Sequence, residues 1–194
     1  QLGSQAISTS LKAGAIGLAI VMVFMIIMYA VPGIAASLAL AIYTTLVIAT
    51  LYLFEITLTL PGIAGIILGI GMAVDANVIV FARVREEIAT GKSVQTSMKI
   101  GFQKAMSAIL DGNITTLIAS VVLMALGSGT VKGFAYTLMI GIILSLFTAM
   151  VVTRYILYSL YALGLKSEKL YGRAKERKLS LIHISEPTRL QLIS

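Results

Sequence analysis

The sequence predicts an all-α membrane protein with five transmembrane helices. Hydrophobic residues make up 58% of the 194 residues and charged residues only 12%. A soluble domain of this length needs a more polar surface, so the composition indicates a bilayer as solvent. The apolar residues also fall into five runs, most of them near the 20 helical residues that cross a hydrocarbon core. Because backbone groups in lipid must pair within their own segment, these runs are expected to be helices despite their Val and Ile content.

The five runs end at residues that break helices or carry charge. Pro32-Gly33 closes the first run, Glu55 closes the second, and Pro61-Gly62 opens the third. The fourth run reaches spanning length only when the turn from Ile109 is included. The predicted spans are Leu11–Val31, Ile34–Phe54, Pro61–Ala82, Ile114–Leu126 and Phe134–Leu163.

The composition excludes several classes of function. The sequence has no Cys and a single His, His183, so thiolate and multi-histidine metal sites are ruled out. The net charge of +7 does not indicate nucleic acid, because the basic residues flank the apolar runs. No phosphate-binding loop is complete, since Glu86 stands where the pattern ending in Gly91-Lys92-Ser93 requires Gly. Catalysis on a small molecule, a cofactor and a metal site therefore have no support.

The basic residues also predict an orientation. Five Lys or Arg lie in or just after the polar interval that follows the third span, and six lie between Lys166 and Lys178. The other side carries only Lys12 and Lys132. The positive-inside rule then places the polar interval and the C-terminal tail in the cytoplasm and the N-terminal end outside. Within residues 83–108, the spacing of apolar residues predicts short amphipathic helices lying on the membrane surface.

Asp75 is the residue of greatest interest, because it lies well inside the third span. A carboxylate at the bilayer centre costs about 3 kcal/mol on insertion scales, so the position favours a group that binds and releases an ion. Gly65 and Gly69 form a G-x-x-x-G step and Gly71 lies one turn before Asp75, which predicts a face packed against other helices. Asn77 could join a polar path beside it. The simpler reading is that Asp75 is only a polar contact between helices.

A second polar cluster, Asp111, Asn113 and Thr116, opens the predicted fourth span. Such residues often begin helices, so Asp111 or Asn113 could simply cap this one. The alternative is a polar path on the cytoplasmic side of Asp75. The two readings have comparable support in the sequence.

Several ordered motifs resemble the SecD family, the membrane subunits of the bacterial SecDF protein-export accessory complex. They are Gly3–Ile7, Leu58–Gly65, Gly71–Val78, Arg83–Glu87, Ile109–Leu117 and Gly133–Ile142, within a resemblance that covers Leu2–Gly172. One departure is Gly112, where the family commonly has Ala. The resemblance implies the transmembrane half of a bundle of the resistance-nodulation-division (RND) type, carrying spans two to six. The first span and an extracytoplasmic domain are then expected upstream.

The resemblance also implies a function in the bacterial inner membrane. Asp75 matches the family's proton-relay aspartate, and Asp111, Asn113 and Thr116 match polar positions near that path. The implied partners are SecF, either fused or separate, the SecYEG translocon, a secreted polypeptide and membrane lipid. Proton motive force would be coupled to polypeptide export, although a sodium gradient fits the same residues. The alternatives are an RND-type exporter of small molecules or lipids, and a scaffold in which Asp75 only pins helices together.

The sequence divides into four predicted regions. Residues 1–10 end an extracytoplasmic region, residues 11–165 form the helix bundle, and residues 166–178 form a basic cytoplasmic tail. Residues 179–189 closely resemble the translated read-through of a transposon-end adaptor used in sequencing libraries, so residues 179–194 are expected to be an assembly artefact.

Overall fold

A computed structural model describes residues 2–171, and its architecture is helical. The helices are α1 (Leu2–Tyr29), α2 (Val31–Leu53), α3 (Leu60–Ala89), α4 (Val94–Leu126), α5 (Thr130–Phe147), α6 (Thr153–Ala162) and α7 (Glu168–Tyr171). A π-helical turn, Thr148–Val152, joins α5 to α6, so that Thr130–Ala162 forms one continuous span. Within residues 2–171, five helical segments are long and apolar enough to cross a membrane. The predicted all-α fold class with five spans is therefore confirmed.

The helix ends follow from local sequence. Thr59 starts α3, and its hydroxyl accepts a hydrogen bond from the amide of Gly62 at 3.1 Å. The turn between α1 and α2 consists of Ala30 alone, which has a φ of 49°. This turn brings the two helices so close that a Cβ on Gly33 would overlap the carbonyl oxygen of Met25.

The polar interval does not form the short surface helices predicted for residues 83–108. Instead α3 continues to Ala89, and α4 begins at Val94 and runs without a break to Leu126. The apolar residues that were expected to face lipid are buried between the two helices. They are Val84, Ile88, Val94, Met98 and Phe102. Pairing α3 with α4 hides this apolar face from water inside the protein, which removes the need for the membrane surface.

The bundle is built around α3. One face of α3 packs against α5. The C-terminal part of α3, near the α3–α4 turn, packs against α4. Glycines allow α3 and α5 to pack closely. A Cβ on Gly69 of α3 would lie only 3.6 Å from the Cα of Gly141 on α5. The helices alternate in direction, so the α1–α2 turn, the α3–α4 turn and the end of α6 share one end of the bundle. This end, which carries most of the Lys and Arg, is called the basic end below.

Two predicted regions fall partly or wholly beyond the described part of the chain. The adaptor-like residues 179–194 lie outside it, as do residues 172–178 of the predicted basic tail. Residues 2–10, predicted as the end of an extracytoplasmic region, are the first turns of α1.

Candidate ion-relay site

Asp75 occupies the middle of α3, about 22 Å along the helix axis from Leu60 at 1.5 Å per residue. Its side chain is exposed on the lateral surface of the bundle. The same stripe of α3 carries Ala64, Leu68 and Gly71, all of them exposed. The chain therefore places a carboxylate in the middle of a long apolar helix and, among its described residues, leaves it uncovered.

The glycines of α3 divide between two faces. A Cβ on Gly65 would collide with the Thr137 hydroxyl, and a Cβ on Gly69 would collide with the Tyr43 hydroxyl. Both glycines therefore lie where α3 meets its neighbours within the chain. Gly71 differs from the sequence expectation, because a Cβ there would meet nothing within 4 Å. The glycine beside Asp75 thus belongs to the exposed stripe and not to the packed face.

Asn77 is buried and points away from Asp75. Two residues of an α-helix are separated by about 200°, so the two side chains leave α3 on different faces. The Asn77 Nδ2 donates to the Ala73 carbonyl at 3.1 Å, and the Asn77 Oδ1 accepts from the Thr153 hydroxyl at 2.8 Å. Thr153 is the first residue after the π-helical turn. Asn77 therefore ties α3 to the last span instead of lining a path beside Asp75.

Sequence reasoning did not identify Thr153 as the partner of Asn77. Ser145, Thr148 and Thr153 are buried polar residues between the middle of the last span and its C-terminal part. Ser145 and Thr148 donate to carbonyls of their own helix, whereas Thr153 reaches across to α3. The spacing of these polar residues in the sequence indicates a polar face on the last span. The π-helical turn shifts the register of that span, however, and the turn cannot be derived from the spacing.

The second polar cluster lies in the interior of α4 and not at a helix start. Ser93 caps α4, and its hydroxyl accepts from the Thr96 amide at 3.4 Å. The capping interpretation of Asp111 and Asn113 is therefore wrong, because the helix already begins near the α3–α4 turn. Asn113 Nδ2 donates to the Ile109 carbonyl at 2.7 Å, which satisfies the amide locally.

Asp111 and Thr116 make only local contacts. Asp111 is exposed and accepts from the Ser107 hydroxyl at 3.5 Å, and the Thr116 hydroxyl donates to the Gly112 carbonyl at 3.2 Å. Within residues 2–171, no hydrogen bond or ion pair joins this cluster to Asp75. A polar path between this cluster and Asp75 would need side chains from outside residues 2–171 or water molecules.

A buried acid at the basic end was missed by the sequence analysis, which treated Glu86 and Glu87 alike as a solvated surface. Glu86 pairs with Arg83 at 2.8 Å on the surface. The Glu87 side chain is only 5% exposed and lies 2.5 Å from both Lys92 and Lys104. The helical spacing of Glu87 from the buried residues Val80 and Val84 could have revealed this burial.

Arg85 closes the same end of the bundle. Its Nη2 donates to the carbonyl of Met28 at 2.7 Å, and its guanidinium lies 4.4 Å from the centroid of the Tyr29 ring. Met28 and Tyr29 end α1, where unpaired carbonyls and the negative end of the helix dipole favour a cation. Arg85 therefore fixes the end of α1 to α3 at the basic end.

No group of three or more His, Cys, Asp or Glu in the described part of the chain is arranged to hold a metal ion. The site itself offers one exposed carboxylate, that of Asp75, and the buried Asn77–Thr153 hydrogen bond on another face of α3.

A family model described as "Protein export membrane protein SecD/SecF, C-terminal" matches residues 1–162. The protein translocase subunit SecD of Acidaminococcus fermentans is 52% identical over 159 residues, which are 82% of this chain and 38% of that protein. The SecD of Synechocystis is 54% identical over 156 residues, covering 80% of this chain and 33% of that protein. The chain thus spans about a third of the length of these curated relatives.

A solved structure shares the fold. The crystal structure of SecDF, a translocon-associated membrane protein from Thermus thermophilus, superposes with a TM-score of 0.79 at 36% identity. The match covers 81% of this chain and 22% of that chain. The resemblance drawn from the sequence motifs is confirmed by these matches.

Proposed function

The chain belongs to the SecD/SecF family of protein export membrane proteins, and we propose on this premise that it is the membrane region of a SecD-like subunit that couples proton motive force to polypeptide export. Its five spans and its family place it in a bacterial membrane as a multi-pass protein. The specific role proposed for Asp75 is to bind and release the coupling proton.

The observation that carries this proposal is the exposed position of Asp75. A carboxylate facing lipid at mid-membrane would cost about 3 kcal/mol, and natural proteins place such groups at a helix interface or a water-filled cavity. Two small residues of the exposed stripe, Ala64 and Gly71, suit close approach of another helix. We therefore assign this stripe as the surface that receives a SecF-like half, whether fused or separate.

Protonation of Asp75 then acts on the packing of the two halves. The neutral acid removes a charge from the interface, so the preferred packing of α3 against its partner changes with the protonation state. One charge moved across the membrane is worth about 2.3 kcal/mol per 100 mV, so a few protons supply useful work. The Asn77–Thr153 hydrogen bond on the opposite side of α3 would pass the movement to the last span.

The remaining partners follow from the family. We infer that the assembled protein works beside the SecYEG translocon and that its substrate is a secreted polypeptide. The basic end is assigned to the cytoplasm, because the described Lys and Arg concentrate there. The Phe54–Thr59 and Gly127–Gly129 turns, at the opposite end of the bundle, then face outside.

An export assay with the complete complex in vesicles tests the role of Asp75. Asp75→Asn keeps the size of the side chain, and no bond recorded in residues 2–171 depends on its charge. We expect the variant to assemble normally and to lose the part of export that responds to a proton gradient. Glu86→Gln, an exposed acid on the same helix, is the matched control and should retain that response.

The outcomes separate the alternatives. Unchanged gradient-dependent export in Asp75→Asn would show that Asp75 is a scaffold contact and would refute the proposal. Imposing a sodium gradient instead of a proton gradient identifies the coupling ion.

Cysteine cross-linking tests the partner surface. The chain has no Cys, so a single introduced thiol gives an unambiguous signal. Leu68→Cys lies on the Asp75 stripe and is expected to cross-link to the SecF-like half. Ile48→Cys is 59% exposed and lies on α2, outside that stripe, and it should not cross-link. Equal cross-linking at both positions would contradict the assignment.

A further inference from the structure

A narrow groove of about 90 Å³ runs between α4 and the last span near the basic end. Its lining combines two kinds of side chain. Three residues are cationic or polar and exposed, namely Lys99, Gln103 and Arg154. The other lining residues are apolar: Val80, Phe102, Met106, Ile109, Ala149 and Met150.

The two cations lie at similar depths on the two helices. Arg154 lies about 36 Å along the last span from Thr130, and Lys99 lies about 40 Å along α4 from Leu126, at 1.5 Å per residue. The hydrocarbon core is about 30 Å thick. Both cations therefore lie beyond the hydrocarbon, at the level of lipid headgroups, while Met106 and Met150, each about 30 Å along its helix, lie at the hydrocarbon boundary.

The charges in this groove are not neutralised by the described part of the protein. The three ion pairs recorded there involve Arg83, Lys92 and Lys104 and include neither Lys99 nor Arg154. None of the groove's lining residues is acidic. The Arg154 guanidinium lies 5.8 Å from the Tyr158 ring centroid, which holds it beside an aromatic side chain but leaves its charge uncompensated.

From this arrangement we infer that the groove is a binding site for one anionic phospholipid. The phosphate and headgroup bind between Lys99 and Arg154, with Gln103 as an additional hydrogen-bond donor. One acyl chain passes the exposed Met106 and the half-buried Met150 toward the membrane centre. Basic pockets between transmembrane helices at a membrane surface are suited to such headgroups.

The site is distinct from the Asp75 stripe. Val80, which lines the groove, leaves α3 about 140° around the helix from Asp75 at 100° per residue. On α4, Ile109 lines the groove while Asp111 points about 200° away. A lipid in the groove therefore leaves the proposed partner surface free, and the inference does not depend on the proposed function.

Native mass spectrometry of the complete complex tests the site. The complex is released from nanodiscs that contain equal amounts of phosphatidylglycerol and phosphatidylcholine, and the retained lipids are counted. Each basic side chain near a membrane surface contributes about 1 kcal/mol, so Lys99→Gln with Arg154→Gln should reduce the preference for phosphatidylglycerol by about thirtyfold.

Two further variants keep the test decisive. Lys99→Arg with Arg154→Lys conserves both charges and should retain the preference. Arg83→Gln with Lys166→Gln removes two cations from the same end of the bundle, outside the groove, and should also retain it. Equal retention of the two lipids by the unaltered complex, or an equal loss in the Arg83 and Lys166 variant, would overturn the inference and indicate general attraction to an anionic surface.

Discussion

Removing the Thr153 hydroxyl should weaken the bundle through one buried hydrogen bond. The bond from Thr153 to Asn77 Oδ1 is 2.8 Å long, and the two residues are 0% and 3% exposed. Thr153→Val keeps the shape of the side chain, so it opens no cavity. It leaves the Asn77 oxygen buried without its partner, which costs about 1–3 kcal/mol in proteins generally. Measured hydrogen bonds between membrane helices average about 0.6 and reach about 1.7 kcal/mol. The expected loss in the free energy of unfolding is therefore about 1–2 kcal/mol.

Thr137→Val is the matched control for this change. Thr137 is 1% exposed, but its hydroxyl donates to the Gly133 and Phe134 carbonyls of its own helix. Its loss leaves no group of another helix unsatisfied, so the cost should stay within about 0.5 kcal/mol.

Reversible unfolding in mixed micelles measures both variants. A double-mutant cycle with Asn77→Leu should give a coupling energy of about 0.6 kcal/mol or more between positions 77 and 153. The reasoning fails if Thr153→Val costs no more than Thr137→Val, or if the cycle shows no coupling.

Three further predictions concern packing and ionisation. Gly101→Ala should cost about 1–3 kcal/mol of unfolding free energy, because its Cβ would lie 2.8 Å from the Val84 amide nitrogen. A Cβ on Gly112 of the same helix meets nothing within 4 Å, so Gly112→Ala should be neutral or stabilising by up to about 1 kcal/mol in the isolated chain. Equal losses of unfolding free energy in the two variants would contradict the packing of Gly101 against Val84. Gly69→Ala should be destabilising because its Cβ would meet the Tyr43 hydroxyl, and Tyr43→Phe in the same chain should restore part of the loss in thermal unfolding; no rescue would refute that contact. Burial raises the pKa of Tyr171 to about 12 from an ordinary value of about 10. The unfolded chain therefore loses this proton first as pH rises, and stability should fall between about pH 10 and 12 in the unaltered protein by more than in Tyr171→Phe.

The spans could be predicted from the sequence, because lipid dictates both their length and their helical state. Pro61 and Gly62 marked the start of α3 correctly, and the hydrophobic runs placed Asp75 at mid-span. The polar interval could not be predicted in the same way. An amphipathic face is stabilised equally by a membrane surface and by a second helix, and only the tertiary structure shows that Val84 packs against Gly101.

The candidate site was predicted in part for a similar reason. Asp75 stands out because of its charge, whereas its exposure depends on which faces of α3 the other helices cover. The role of Asn77 depends on Thr153, a residue 76 positions away, and on a π-helical turn that shifts the register of the last span. The burial of Glu87 was recoverable from its helical spacing, since it shares a face with Val80 and Val84.

Proton flux through the complete complex tests the central claim most directly. The complex is reconstituted in vesicles that contain a pH-sensitive dye, and a membrane potential is imposed. We predict that the unaltered complex and Glu86→Gln conduct protons and that Asp75→Asn does not, although it assembles to the same extent. Proton flux through Asp75→Asn equal to that of the unaltered complex would contradict the account.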